Sequence, residues 1–174
     1  MSGVIKELLK RYKCYKDPIS YYRSLGVVIG EKCEIRGSVN FGSEPYLIKI
    51  GNHVRINAGV QLITHDGGTW VLREYADVEN RENLTLFKRI TIGNNVHIGS
   101  AALIMPGVTI GDNCIIGCGA VVTKSIPSNC IAVGVPARVI ETIDEYFEKH
   151  KEEFSFTKNM TKAEKKEYLL KNLD

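Results

Sequence analysis

The sequence predicts an all-β solenoid, a coil of short parallel strands, and three observations lead to this fold class. Isoleucine and valine together number 34 among the 174 residues, against 12 leucines, and β-branched side chains suit pleated backbone better than helix. Charged residues avoid the middle of the chain, since residues 90–140 hold only Asp112, Lys124 and Arg138. In that same stretch, aliphatic residues recur at every sixth position.

The six-residue spacing predicts the form of the coil. Its aliphatic positions are Ile92, Ile98, Ile104, Ile110, Ile116 and Val122, and small uncharged residues follow the first five at Val96, Ala102, Val108, Cys114 and Ala120. A helical period would drift within two units, and strand alternation would not single out every sixth residue. A rung with one aliphatic and one small inward side chain, and a glycine at the corner, fits stacked short strands. The same register occurs earlier, at Ile29, Ile35, Ile50 and Ile56.

Three segments carry a resemblance to a known family: Ile92–Gly99, Pro106–Asp112 and Gly134–Ile140. They resemble the hexapeptide-repeat acyltransferases, and in particular the galactoside, maltose and nodulation-factor O-acetyltransferases. The resemblance covers residues 27–140. It implies a left-handed parallel β-helix of triangular cross-section, acetyl-CoA as cosubstrate, and a homotrimer with active sites between adjacent subunits.

The sequence predicts that the chain consists of three domains. Residues 1–26 are expected to form a helical cap on the open end of the solenoid, although a basic amphipathic helix of this kind could instead touch a membrane. Residues 27–140 form the β-helix, which a long loop at 63–89 interrupts, because a charged stretch cannot remain inside a coil without partners. Residues 141–174 hold 16 charged residues and predict a helical extension, with a capping box at Thr161–Glu164.

His65 is the predicted general base for transfer of an acetyl group to a hydroxyl. A sugar hydroxyl ionises too weakly to attack a thioester alone, and histidine suits proton transfer near neutral pH. His65 stands where the repeat breaks, beside Asp66 and a pair of glycines, and this segment resembles the place where the family carries its catalytic histidine. Asn57 or Asp66 would orient the ring, or serve only as a corner residue and a turn former.

Coenzyme A carries phosphates, which cations and backbone donors bind. Lys124 and Arg138 are conspicuous in the nearly uncharged repeat, although ordinary surface charge is the other interpretation. The residues that fall at positions of the family's coenzyme groove are Ser100, Gly119, Thr123, Lys124 and Arg138, and His97 stands where the family often has a tryptophan.

Composition and spacing also exclude several classes. No apolar run is long enough to span a membrane, and no secretory signal is visible, so a cytoplasmic protein is expected. A net charge of +3 is too small to indicate nucleic acid as a partner. The five cysteines contain no C-x-x-C pair, and the histidines lack the spacing of a zinc-dependent anhydrase, so no metal is expected.

Three alternatives to a sugar O-acetyltransferase stay open at this point. The acceptor could be an amino sugar, or it could be a xenobiotic such as an antibiotic. The β-helix could also be a catalytically silent assembly scaffold. The loop at 63–89 would select the acceptor, and its sequence carries no motif that names a substrate.

Overall fold

Three β-sheets form the body of the protein in a computed structural model that describes residues 3–173. Residues 1, 2 and 174, the outer ends of the two predicted flanking segments, lie outside the described residues. Successive turns of the chain add strands to each sheet in parallel, so that the sheets are the faces of a left-handed parallel β-helix with a triangular cross-section. The predicted fold class is confirmed.

The three sheets are called faces A, B and C. Face A consists of β1 (Val28–Ile29), β3 (Ile48–Ile50), β6 (Ile90–Ile92) and β9 (Thr109–Ile110). Face B consists of β2 (Glu34–Ile35), β4 (Val54–Ile56), β7 (Val96–Ile98), β10 (Cys114–Ile116), β12 (Cys130–Gly134) and β13 (Ala137–Thr142). Face C consists of β5 (Gln61–Leu62), β8 (Leu103–Ile104) and β11 (Val121–Val122). The last strand, β13, runs antiparallel to β12 and ends the coil.

Aliphatic residues of the repeat stack in ladders inside the coil. On face B, Ile56, Ile98 and Ile116 occupy paired positions and are at most 1% exposed. Complete burial of such a side chain contributes roughly 1.5–3 kcal/mol. The small positions Cys114 and Ala120 are buried as well, so that each regular turn combines aliphatic with small inward side chains.

Close backbone approach explains the glycines and asparagines at the corner between faces A and B. A Cβ on Gly93 would lie 2.8 Å from a backbone carbon of the next turn. His53, Asn95, Asn113 and Asn129 follow in the left-handed region, with φ between 54° and 62°. Asn95 Nδ2 donates to Asn113 Oδ1 at 2.9 Å, and Asn113 Nδ2 donates to Asn129 Oδ1 at 2.8 Å. His53 Nδ1 donates to Asn95 Oδ1 at 2.8 Å. We call this column the amide ladder.

The coil is interrupted twice at the same corner, between faces C and A. Paired residues of β6 and β9 are 18 residues apart, whereas those of β1 and β3 are 21 apart and those of β3 and β6 are 42 apart. Residues 41–47, which end in a 3₁₀ turn, account for the longer spacing between β1 and β3. Residues 63–89, called the excursion, account for the longer spacing between β3 and β6.

The excursion contains regular structure where the sequence predicted only a loop. It holds α3 (Thr69–Tyr75) and a 3₁₀ turn at Arg81–Asn83. The Asp66 carboxylate accepts a hydrogen bond from Gly68 N at 2.8 Å just before α3, which closes the turn that leads into the helix.

Helices precede the coil and follow it. The first two are α1 (Gly3–Lys16) and α2 (Pro18–Ser24). Tyr22 of α2 is buried, donates through its hydroxyl to Val39 O at 2.7 Å and stacks on Phe41. Burial raises the pKa of this phenol well above its ordinary value.

The chain divides into two compact units, residues 1–143 and 144–174. The second unit holds most of α4 (Ile143–His150) and all of α5 (Lys162–Asn172). The capping box at the start of α5 is present as the sequence predicted, with Thr161 Oγ1 accepting from Glu164 N and Glu164 Oε2 accepting from Thr161 N.

Candidate active site

His65 lies in the neck of the excursion, where the chain leaves the coil directly after face C. The neck is a short antiparallel pairing in which His65 bridges Phe87. Asp66 N donates to Leu86 O at 2.9 Å, and Lys88 N donates to Thr64 O at 2.8 Å. Because the backbone on both sides of His65 is hydrogen-bonded, the ring is held at the edge of the coil.

A carboxylate that the sequence reasoning missed lies beside the His65 ring. Glu44 Oε2 is 3.6 Å from His65 Nδ1. That oxygen accepts hydrogen bonds from Ser43 Oγ at 2.9 Å and from Thr64 Oγ1 at 3.1 Å. Thr64 is fully buried and the Glu44 side chain is 17% exposed, whereas the His65 side chain is 47% exposed. The largely buried carboxylate therefore faces one ring nitrogen, and Nε2 is the ring nitrogen left for a ligand.

Neither predicted orienting residue contacts the ring through a hydrogen bond in residues 3–173. The Asp66 carboxylate serves the turn before α3, where it accepts from Gly68 N. Asn57 stands at the corner after β4, where its backbone N donates to Ile98 O at 3.1 Å. Asn57 is thus a corner residue and Asp66 a turn former, and the carboxylate that lies beside the His65 ring is that of Glu44.

A pocket of about 200 Å³ opens beside His65 within the excursion. Its lining residues are His65, Asp66, Gly67, Thr69, Trp70, Arg73, Thr85, Leu86 and Phe87. All of them lie between residues 65 and 87, so the excursion builds this cavity against its own neck.

The predicted coenzyme residues lie mostly on the uninterrupted turns. Ser100 and Gly119 stack at the corner between faces B and C, where Gly119 N donates to Ser100 O at 2.8 Å. Thr123 and Lys124 follow β11 at the next corner, and both side chains are exposed. Thr64, which precedes His65, follows β5 at the same corner, and β5 lies two strands from β11 on face C. The two strands are therefore separated by roughly 10 Å along the coil.

Arg138 lies apart from that group in the order of strands. It belongs to β13, pairs with Val133 of β12 on face B, and donates from Nη1 to Ala137 O at 2.9 Å. The structure therefore places Lys124 at the corner that also carries His65, and Arg138 on the strand that ends face B.

His97 projects outward from β7, between Arg55 and Ile115 on the neighbouring strands. Partial burial and the positive charge of Arg55 hold the pKa of this imidazole below its ordinary value of 6.5. The ring is consequently neutral at neutral pH. It suits packing against an apolar part of a coenzyme better than pairing with a phosphate.

The other two histidines contact polar side chains that do not line the pocket. His53 belongs to the amide ladder, and His150 Nδ1 lies 2.8 Å from Glu153 Oε2 in the second unit. All five cysteines are free. Within the described part of the chain, no group of three His, Cys, Asp or Glu side chains is arranged to hold a metal ion.

None of the described helices has the length and apolar character needed to cross a membrane.

Comparisons with known proteins agree with the geometry. Residues 89–124 match the family model described as bacterial transferase hexapeptide (six repeats). Protein CapG of Staphylococcus aureus is 49% identical over 173 residues, which cover 98% of this chain and 95% of that protein. Galactoside O-acetyltransferase of Escherichia coli K12 is 44% identical over 118 residues, which cover 64% of this chain and 55% of that enzyme.

Two solved structures are similar in fold as well as in sequence. A maltose O-acetyltransferase from Clostridium difficile 630 has 29% identity and a TM-score of 0.60, covering 78% of this chain and 83% of its own. A galactoside acetyltransferase in complex with coenzyme A has 30% identity and a TM-score of 0.52, covering 85% and 86%. The triangular coil, its six-residue repeat and these relatives together show that the chain belongs to the hexapeptide-repeat acyltransferases, a family of enzymes.

Proposed function

We propose that this protein transfers an acetyl group from acetyl-CoA to a hydroxyl of a sugar, with His65 as the general base. Support comes from relatives that are named galactoside O-acetyltransferase and maltose O-acetyltransferase, and from a similar galactoside acetyltransferase that was solved with coenzyme A. The observation that carries the proposal is the His65–Glu44 pair, a half-exposed imidazole backed by a largely buried carboxylate at the mouth of a pocket.

His65 performs both proton transfers in the proposed reaction. Nε2 takes the proton of the acceptor hydroxyl as its oxygen forms a bond to the thioester carbonyl carbon. The C–S bond then breaks, and the imidazolium returns the proton to the coenzyme thiolate, so that the ester and the free thiol are the products. A positioned base of this kind contributes roughly 10²–10⁴-fold. Glu44 stabilises the imidazolium and turns Nδ1 away from the substrate.

Lys124 and Arg138 would bind phosphates of the coenzyme, and His97 would pack against an apolar part of it. Ser100, Gly119 and Thr123 would line its path along the corners that border face C.

We propose in addition that the protein is a homotrimer, as the family resemblance implies, with each site completed by a neighbouring subunit. We expect the reaction to take place in the cytoplasm, where acetyl-CoA is made. Light scattering after size exclusion measures the oligomeric state, and a monomer would overturn the trimer.

The test is a thiol-release assay with acetyl-CoA against sugars, nucleotide sugars and amino sugars, on the wild-type protein and on His65→Ala. Turnover by His65→Ala should fall about 100-fold or more, while calorimetry still detects acetyl-CoA binding. His53→Ala is the matched control, since it removes an exposed histidine from the amide ladder and should keep its turnover. Near-normal turnover by His65→Ala would remove His65 as the base, and acetylation of amines alone would replace the hydroxyl acceptor.

A further inference from the structure

The His65 pocket contains a guanidinium group that the proposed mechanism does not use. Arg73 lies on α3 and lines the pocket together with His65. Its Nε donates to Leu84 O at 3.0 Å, across the excursion. This hydrogen bond fixes the plane of the guanidinium and leaves both terminal nitrogens, Nη1 and Nη2, as donors.

Among the side chains that the structure describes, no carboxylate lies within ion-pair distance of Arg73. Arg23 of α2 and two arginines of the coil, Arg36 and Arg55, differ in this respect, because each contacts a glutamate at 3.1 Å or less. Asp66 is the one acidic residue among those that line the pocket, and its carboxylate accepts a hydrogen bond from Gly68 N instead. A half-buried guanidinium without a counter-charge is costly unless a ligand supplies the charge.

Trp70 stands one turn before Arg73 on the same face of α3 and lines the same pocket. Trp70 as a whole residue is 74% exposed, so the indole is available to pack against a flat apolar surface such as the C–H face of a sugar ring. The pocket thus combines an apolar platform, a fixed two-pronged donor and the proposed base. A planar fork of N–H donors matches the geometry of a carboxylate or phosphate.

We propose that the acceptor is an anionic sugar, and that Arg73 binds its carboxylate or phosphate while a hydroxyl of the same molecule lies at His65. This inference rests on the proposed function, because it names the substrate class of that same site. The phosphates of coenzyme A are the other source of the same chemistry, so the test must separate donor from acceptor.

The experiment compares matched acceptors: glucose, glucuronate and glucose 6-phosphate, with the corresponding galactose and N-acetylglucosamine series. The wild-type enzyme should favour the charged members by about tenfold or more in kcat/KM. Arg73→Gln should lower kcat/KM for charged acceptors by about 10- to 100-fold, with neutral acceptors and the KM for acetyl-CoA unchanged. Arg73→Lys should keep part of the preference, because it retains the charge without the fork.

Arg81→Gln is the matched control, since Arg81 lies in the same excursion, outside the pocket, and donates to Ala76 O. Thermal unfolding of each variant separates a loss of fold from a loss of binding. Equal losses for neutral and charged acceptors would mean that Arg73 only holds Leu84, and a raised KM for acetyl-CoA would assign the guanidinium to the coenzyme. Either result overturns the proposal, and so does a wild-type enzyme without preference for the charged acceptors.

Calorimetry with glucuronate and with glucose 6-phosphate distinguishes this proposal from the proposed function. If the wild-type protein acetylates no sugar but binds one of these anions, and Arg73→Gln does not, the acetyl transfer fails and the anion site stands. If the wild-type protein binds neither anion and shows no preference in turnover, the anion site fails regardless of the reaction.

Discussion

Replacement of Glu44 by glutamine removes one negative charge from behind the His65 ring and leaves a side chain of nearly the same size. The amide oxygen of the new side chain can still accept from Ser43 and Thr64, so the packing of the corner should survive. What is lost is the attraction between the carboxylate and the imidazolium that forms as the hydroxyl proton is taken. We therefore expect the turnover number to fall, with little change in binding of either substrate.

The expected magnitude follows from the 3.6 Å separation of Glu44 Oε2 and His65 Nδ1. Two unit charges at that distance attract by about 4–5 kcal/mol at an effective dielectric constant of about 20, and by about 1 kcal/mol in water. Because the His65 side chain is 47% exposed, the effective value lies in the lower part of this range, at about 2 kcal/mol. A loss of that size in the transition state lowers kcat about 30-fold.

Steady-state kinetics of thiol release tests this reasoning when both substrates are varied. A fall in kcat at constant KM indicates a contribution confined to the transition state, and Glu44→Asp should recover part of the rate. Glu31→Gln is the matched control, because it removes an exposed carboxylate of the coil that pairs with Arg23 of α2. A kcat for Glu44→Gln within about threefold of wild type, in a folded protein, would refute the positioning role.

Two predictions concern the coil itself. Burial and Arg55 lower the pKa of His97 in the folded state, so as pH falls the unfolded state takes up the His97 proton before the folded state does. The stability of the folded state is therefore complete above the ordinary histidine pKa of 6.5 and decreases as pH falls below that value. The melting temperature should decrease between about pH 7 and 5, and it should decrease less in His97→Gln. In the amide ladder, Asn113→Gly should cost about 1 kcal/mol in urea unfolding, and Asn113→Ala about 1 kcal/mol more because its φ is 54°. Equal costs for the two Asn113 variants, or parallel pH curves for His97→Gln and wild type, would contradict these expectations.

The coil could be predicted from sequence because its repeat is a local pattern with a single geometric solution. A narrow interior accepts one aliphatic and one small side chain per rung, so the positions of Ile104 and Ala120 follow without reference to the rest of the chain. The excursion was also visible, since Asp66 falls where a small inward residue is due. The helix α3 within the excursion could not be predicted, because it depends on contacts across the excursion, such as the hydrogen bond from Arg73 to Leu84 O.

Glu44 escaped prediction because its partner is set by the register between turns. Residues 28–40 pair with residues 49–61 at a constant offset of 21. The same offset carries Glu44 onto His65. The signal was therefore present in the spacing of Ile29 to Ile50 and of Ile35 to Ile56, but it required the offset to be extended beyond the regular strands into an interruption.

Two interruptions at one corner, one turn apart, also explain how a regular coil acquires a site. A regular corner holds small residues and paired backbone, which leaves no place for a buried carboxylate beside an exposed imidazole. Insertion at a corner lengthens the chain between two faces without shifting the ladders, because Leu62 still pairs with Ile104, and Ile50 with Ile92. The inserted segments can therefore change without loss of core packing. In the proposed enzyme, the uninterrupted turns would hold the constant coenzyme and the excursion would select the acceptor.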